Sequence, residues 1–247
     1  MCEHFVARSA EPFALAELWD LTAGLERYGL AGWGWGAAWV AADGGLAWHR
    51  DPRRFSDDPV TERLAATETT AALVHLRRPS KLSTVGLADT QPFLDPAGRF
   101  AFSHNGDLRE HRALRRRYQE QGRILGRADS EVGQRWLEDH WGDQADPTGD
   151  LVSMHELFHG QANLLALGAD GGAHAYAGNT ENPVFTFRLG RIGVASTGIY
   201  SLDRSLFRFV APDARQRRVV RPGRGVTLGP DGAPADGPAL GAAPRVR

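Results

Sequence analysis

Cysteine is almost absent from this chain: Cys2 is the only one in 247 residues. A lone cysteine excludes an intramolecular disulfide, and one thiol does not make a zinc site. It is then either a small buried hydrophobe or a reactive thiol. Without a disulfide framework the composition fits a reducing compartment. Net charge is nearly absent as well, at a formal −1. No global field therefore recruits nucleic acid or a membrane surface. The first 30 residues hold no long apolar run and carry Glu3, Glu11, Glu17, Asp20 and Glu26. That argues against a secretory signal or a membrane span, and a cytoplasmic protein is the expectation. Internal repeats are missing too. Hydrophobic residues make up 42% and charged residues 24%, ordinary values for a chain able to bury a sizeable core. The length suits one large domain or two small ones.

The position of the cysteine is informative. A small residue after Met1 is one that methionine removal tolerates, so the mature chain can begin at Cys2. The sulfur would then sit beside a free α-amine with an ordinary pKa of roughly 7.7–8.0. Such an amine can serve as general base for its own side chain, the N-terminal nucleophile arrangement. The other reading of a residue at a chain end is an unremarkable, frayed terminus.

Along the chain, residues 2–7 alternate as a strand, with Cys2, His4 and Val6 on one face. Leu15, Leu18, Leu21 and Leu25 form one stripe and predict a helix over 13–27. Gly32-Trp33-Gly34-Trp35-Gly36 leads into a hairpin of 37–41 and 46–49. Those glycines mark either close backbone approach or tight packing where a strand begins. A helix over 58–68 precedes an apolar strand, 71–77, which ends in Arg77-Arg78-Pro79-Ser80-Lys81. Arg77 is either a solvated strand end or a guanidinium at a cleft, where its fork matches a carboxylate. The next strand, 99–103, ends at His104-Asn105-Gly106-Asp107, and a helix over 108–121 follows. A helix after Asn-Gly weakens the hairpin-turn reading. An Asn amide beside a Gly N–H makes two adjacent donors, the parts of an oxyanion hole. The arginines of 108–121 read as a solvated helix face, with no nucleic-acid module beside them. Asp129 either caps a helix over 130–140 or offers its carboxylate to a ligand amine. Strands are predicted at 162–168, 173–177, 183–189, 191–196 and 206–210, and the Gly/Pro/Ala-rich stretch 229–247 reads as disordered.

His155-Glu156-Leu157-Phe158-His159 fits the H-E-x-x-H pattern of zinc peptidases. On a helix it would set two imidazoles one turn apart, with Glu156 as base. Gly160 makes that helix short, Leu165 stands where the extended motif wants a third histidine, and Glu181 lies in a loop.

Taken in order, the motifs resemble those of the class II glutamine amidotransferases, a family of N-terminal nucleophile hydrolases. Met1-Cys2 looks like the processed start, and Gly34-Trp35-Gly36 like the family's glycine-tryptophan-glycine segment. His75-Leu76-Arg77 resembles its His-x-Arg strand end, and Gln91-Pro92-Phe93 its His-Pro-Phe segment. His104-Asn105-Gly106 and Asp129-Ser130-Glu131 resemble its oxyanion and Asp-Ser-Glu motifs. The resemblance covers roughly 1–228, with 229–247 as tail. It implies an α+β fold, a four-layer α/β/β/α sandwich of two stacked, mainly antiparallel sheets. It also implies release of ammonia from glutamine, or of an amine from a γ-glutamyl compound, through a thioester on Cys2. Asn105 and Gly106 would hold the oxyanion, Arg77 the α-carboxylate and Asp129 the α-ammonium. No metal or cofactor is implied. The expected partners are the small-molecule substrate and an ammonia-accepting synthase subunit. Gln91 and Arg78-Pro79 depart from the family pattern, which leaves the identity of the substrate open. The alternatives are a non-catalytic binding partner of the same fold, and the zinc peptidase at His155, Glu156 and His159.

Overall fold

The structure is a computed structural model, and it describes residues 2–144, 146–199 and 207–241. The chain opens with strand β1 (Glu3–Ala14), a 3-10 turn at Leu15–Leu18 and helix α1 (Trp19–Gly29). The hairpin β2 (Trp35–Val40) and β3 (Leu46–Asp51) follows, then α2 (Val60–Leu64), β4 (Glu68–Leu76), β5 (Phe93–Leu94) and β6 (Phe100–Leu108). Next come α3 (Arg112–Glu120), α4 (Asp129–His140), α5 (Pro147–Phe158), β7 (Gly160–Gly168) and β8 (Ala173–Ala177). The described chain closes with β9 (Val184–Leu189), β10 (Ile192–Thr197), α6 (Phe207–Val210), β11 (Arg215–Val219), β12 (Arg224–Leu228) and β13 (Pro234–Ala239).

These strands make two antiparallel sheets. One runs β11-β9-β10-β1-β4-β2-β3, the other β13-β12-β8-β7-β6-β5. Strand alternation sorts the side chains into three apolar layers. Phe5, Leu18, Leu25, Trp35 and Phe187 fill the space between the first sheet and its helix layer. Phe102, Tyr118, Leu137, Met154 and Phe158 do the same under α4 and α5. Between the sheets lie Val6, Leu73, Leu165 and a set of alanines that includes Ala38, Ala101 and Ala175. The result is the four-layer α/β/β/α sandwich. Each fully buried large side chain, such as Phe5 or Phe102, contributes about 1.5–3 kcal/mol relative to exposure.

Several boundaries differ from the sequence expectation, each for a local reason. β1 continues to Ala14 because its register shifts between Arg8 and Phe13, and Pro12 sits in that irregularity. The helix therefore starts at Trp19 rather than residue 13. α2 stops at Leu64, and β4 already begins at Glu68. β6 does not end at His104 but runs through Asn105 and Gly106 to Leu108, paired with β7 along its whole length. Residues 207–210 form a helical turn instead of a strand, and Leu206 lies outside the described residues. The tail expectation also needs correction. Pro234–Ala239 is an edge strand on β12, closed by a turn in which Gly232 holds φ +77°. Proline and glycine content reads as disorder, yet both suit a hairpin whose outer strand needs no donors on its free side. Residues 242–247 lie outside the described chain.

Candidate active site

Cys2 sits at the head of β1, between β4 and β10 in the middle of the first sheet. Its half-buried side chain reaches the end of β4, where the Arg78 N–H donates to Sγ at 3.3 Å. Burial pushes the thiol pKa up, while the Arg78 amide and the Arg77 charge pull it down less strongly. At neutral pH the resting sulfur is therefore a thiol, and it needs a base to react.

Arg77 is fixed by backbone. Its N–H donates to the Gly34 carbonyl at 2.8 Å, and its own carbonyl accepts the Trp33 N–H at 3.1 Å. The glycine run thus grips the strand end. Gly36 leaves no room for a side chain, since a Cβ would stand 2.5 Å from the Gln91 carbonyl oxygen. Of the two readings of these glycines, tight packing where a strand begins holds at Gly36. Arg77 is only 4% exposed, with Nη2 donating to the Thr84 carbonyl at 2.5 Å. Its Nε has no partner among the described residues. A buried arginine with an unspent donor is prepared to receive an anion.

The second sheet supplies the other wall. Gln91 clamps the β6 backbone at His104, accepting its N–H at 2.6 Å and donating to its carbonyl at 3.3 Å. Gly106 holds φ +121°, and a Cβ there would collide with the Gln161 carbonyl oxygen, so only glycine fits. Asn105 is fully buried. Its Oδ1 accepts from Asn163 Nδ2 and Asn179 Nδ2, each at 3.4 Å. That leaves the Asn105 NH₂ facing Cys2, where one N–H donates to the Cys2 carbonyl. An amide nitrogen carries two donors, so a second remains. Asn163 was not singled out from sequence, although a polar residue within the apolar run Ala162-Asn163-Leu164-Leu165 was a usable signal. Asn182 extends the network: it accepts from Asn163 and donates to Glu3 at 3.2 Å.

Asp129 is the first residue of α4, whose cap is Ala128. Asp129 therefore lies inside the helix and does not cap it. Its Oδ2 accepts the Leu108 N–H at 2.7 Å and its Oδ1 the Ser130 N–H at 3.0 Å. Two further carboxylates shape the preceding loop. Asp89, 5% exposed, accepts the Arg127 and Ala128 N–H groups, both at 2.7 Å. Glu131 accepts the Leu125 and Gly126 N–H groups, also at 2.7 Å. From sequence, Glu131 stood only as the last residue of the Asp129-Ser130-Glu131 motif, with no role assigned, and Asp89 was given no part in the site. Together these contacts bring Cys2, Arg77, Gly106 and Asp129 to one cleft of about 330 Å³. Asn105 lies buried beside it.

The zinc arrangement does not form. α5 ends at Phe158 and His159 turns to φ +54°, so the two imidazoles are not one helical turn apart. His155 Nε2 lies 3.1 Å from the Gly160 carbonyl and Nδ1 2.7 Å from the Tyr176 hydroxyl. A carbonyl only accepts, so Nε2 carries the proton and Nδ1 accepts from tyrosine. No lone pair is left for a metal. His49, Asp51 and Asp58 also approach one another, but Arg53 already bridges both carboxylates at 2.8 and 3.1 Å.

A family model described as glutamine amidotransferases class-II matches residues 1–174. The chain belongs to this family. Solved structures similar to this class II amidotransferase include glutamine phosphoribosylpyrophosphate amidotransferase from B. subtilis, complexed with ADP and GMP. It is 18% identical with a TM-score of 0.74, covering 96% of this chain and 49% of that one. An allosteric regulatory enzyme of purine biosynthesis is 17% identical at TM-score 0.73, covering 96% and 48%. A glutamine aminotransferase class-II domain protein from Silicibacter pomeroyi is 18% identical at TM-score 0.62, covering 97% and 100%. The chain thus spans about half the length of the first two. At these identities the likeness is one of fold. No curated protein matches significantly by sequence. Among the described residues of this amidotransferase, no helix is long and apolar enough to cross a membrane.

Proposed function

We propose that this cleft hydrolyses the side-chain amide of glutamine, or of a γ-glutamyl compound, with Cys2 as nucleophile. After Met1 is removed, the Cys2 α-amine takes the thiol proton and Sγ attacks the amide carbon. The tetrahedral oxyanion accepts from the second Asn105 N–H and from the Gly106 N–H. Losing one such donor typically costs about 10²–10³ in rate. Collapse breaks the C–N bond, and the ammonium of Cys2 returns its proton to the leaving nitrogen, giving ammonia or an amine. Water then attacks the thioester with the same amine as base. The C–S bond breaks, and glutamate and the free thiol result. Arg77 holds the α-carboxylate and Asp129 the α-ammonium, one group of each sign for a zwitterion. Nucleophile, base and donors all come from the chain, so the reaction calls for no cofactor.

The observation that supports this most is the convergence of the only cysteine, a buried arginine with an unspent donor and the Asp129 carboxylate on one cleft. Ammonia released there goes to solvent or to an accepting synthase partner, a division that ammonia-dependent synthesis with added candidate subunits would resolve. The primary test is intact mass after exposure to 6-diazo-5-oxo-norleucine, a glutamine-shaped electrophile. Loss of Met1 plus one adduct on Cys2 is the expected result. A processed chain whose Cys2→Ala variant keeps full glutaminase activity would end the proposal. A chain that retains Met1 and stays unlabelled would favour the non-catalytic binding partner.

A further inference from the structure

The cleft holds more positive charge than a glutamine zwitterion uses. Of its acidic lining residues, Asp89 holds two backbone amides, and its charge acts on Arg77. Asp107 pairs with Arg109 at 3.1 Å. Asp129 is the group assigned to the substrate ammonium, and Arg77 the one assigned to its carboxylate. Arg78, Lys81 and Arg127 remain, all lining the same cleft. None of them pairs with a carboxylate among the described residues. Lys81 is the only lysine in the chain. The three are not scattered. Arg78 and Lys81 follow β4 on one wall, and Arg127 belongs to the loop before α4. Asp89 ties that loop to the segment carrying the other two. Arg78 also starts at the reacting atom, since its own N–H lies 3.3 Å from Sγ.

Ammonia as leaving group would use none of these cations, and an ammonium ion would be repelled by them. A leaving amine that itself carries an anion would be held by all three. We infer that the amine half of the substrate bears an anionic group, so that the cleft takes γ-glutamyl amides of amino acids or peptides in preference to glutamine. The C–N bond that breaks then joins the γ-carbonyl to an amino-acid nitrogen. That nitrogen leaves with the proton originally on the thiol, and water completes the hydrolysis to glutamate as before. This inference rests on the Cys2 hydrolase proposal and adds the chemical class of what hangs from the γ-amide.

The test compares γ-glutamylglycine, whose leaving amine carries a carboxylate, with γ-glutamylmethylamide, whose leaving amine is neutral. The expected preference in kcat/KM is about tenfold or more for the anionic substrate, as for one hydrogen bond to a charged group. In the Arg78→Gln/Arg127→Gln variant that ratio should fall towards one, whereas Arg116→Gln, on the exposed face of α3, should leave it in place. Added salt should lower kcat/KM for γ-glutamylglycine in the wild type and hardly affect the methylamide. This arm keeps the inference testable if the double variant fails to fold. Equal rates on the two substrates, or a preference that survives loss of both arginines, would overturn the inference while leaving the nucleophile assignment intact. Failure of every γ-glutamyl compound, with no diazo-oxo-norleucine adduct on Cys2, would instead remove the proposal beneath it.

Discussion

Acid should unfold this protein earlier than its carboxylates alone would. His4 and His75 are direct cross-strand partners on β1 and β4, both fully buried between the sheets. Their rings meet edge to face at 6.0 Å. Each Nδ1 lies 2.8 Å from the same Ser103 hydroxyl on β6. A hydroxyl has one proton to donate, so at most one imidazole accepts from the serine and at least one donates to its oxygen. Neither Nε2 has a partner among the described residues, so a second proton on either ring would be buried without an acceptor. Burial pushes both pKa values well below the ordinary histidine value, and for His75 the neighbouring His4 and Arg77 push further the same way. In the unfolded chain each titrates near 6.5. For a base with a depressed folded pKa, the unfolded state binds the extra protons. Stability is then full above about pH 6.5 and falls as pH drops through that value. Between pH 7.5 and 5.5 each unfolded imidazole gains about 1.4 kcal/mol of proton binding, or about 3 kcal/mol for the pair if both stay neutral when folded. His104, His155 and His174 are lowered by burial and act in the same direction. Asp150, raised by burial, opposes them. Urea unfolding at pH 7.5, 6.5 and 5.5 should show the midpoint falling at constant slope. Unchanged stability across that range, or His4 and His75 imidazole NMR signals of the folded protein titrating near 6.5, would refute the reasoning.

The remaining predictions concern the walls of the cleft. Gly106→Ala must either abandon φ +121° or strike the Gln161 carbonyl. It should cost about 1–3 kcal/mol, lower Tm by several degrees and remove glutaminase activity. Asp89→Ala leaves the Arg127 and Ala128 amides without their acceptor, at about 1–3 kcal/mol if they stay buried. KM for glutamine should rise while iodoacetamide, which lacks the amino-acid end, alkylates Cys2 at the wild-type rate; equal effects on both reagents would reduce Asp89 to a purely structural role. Asn163→Ala removes a donor that orients the Asn105 amide, so kcat should fall by about 10²-fold with little change in KM. Prolonged chelation should leave activity intact, because no His155 lone pair is free for a metal; loss of activity restored by zinc would reverse that conclusion.

Some of this protein was legible residue by residue, because the information is local. Strand alternation placed Cys2 and His4 on one face, the leucine stripe marked the first helix, and the short motifs named Cys2, Arg77, Asn105, Gly106 and Asp129 in chain order. Local reading failed where a distant partner decides the conformation. Nothing near Asn105 says that β6 continues past it; that follows from its pairing with β7, more than fifty residues on. The prolines and glycines of the last stretch read as disorder because their use, an edge strand against β12, depends on where β12 lies. His155 matched a metal motif, and only Tyr176 and Gly160, brought in by β7 and β8, show that its nitrogens are already occupied.

The sequence by itself singled out the lone cysteine proposed as nucleophile and the charged residues proposed around its substrate, since these depend on residue chemistry and chain position. Tertiary structure decided which of them meet. It set the direction of the Asn105 amide through Asn163 and Asn179, joined the cleft walls through Asp89, and left Arg78, Lys81 and Arg127 without a carboxylate partner among the described residues. Hydrogen bonds and ion pairs are satisfied in space, and their partners here come from strands and loops far apart in the chain.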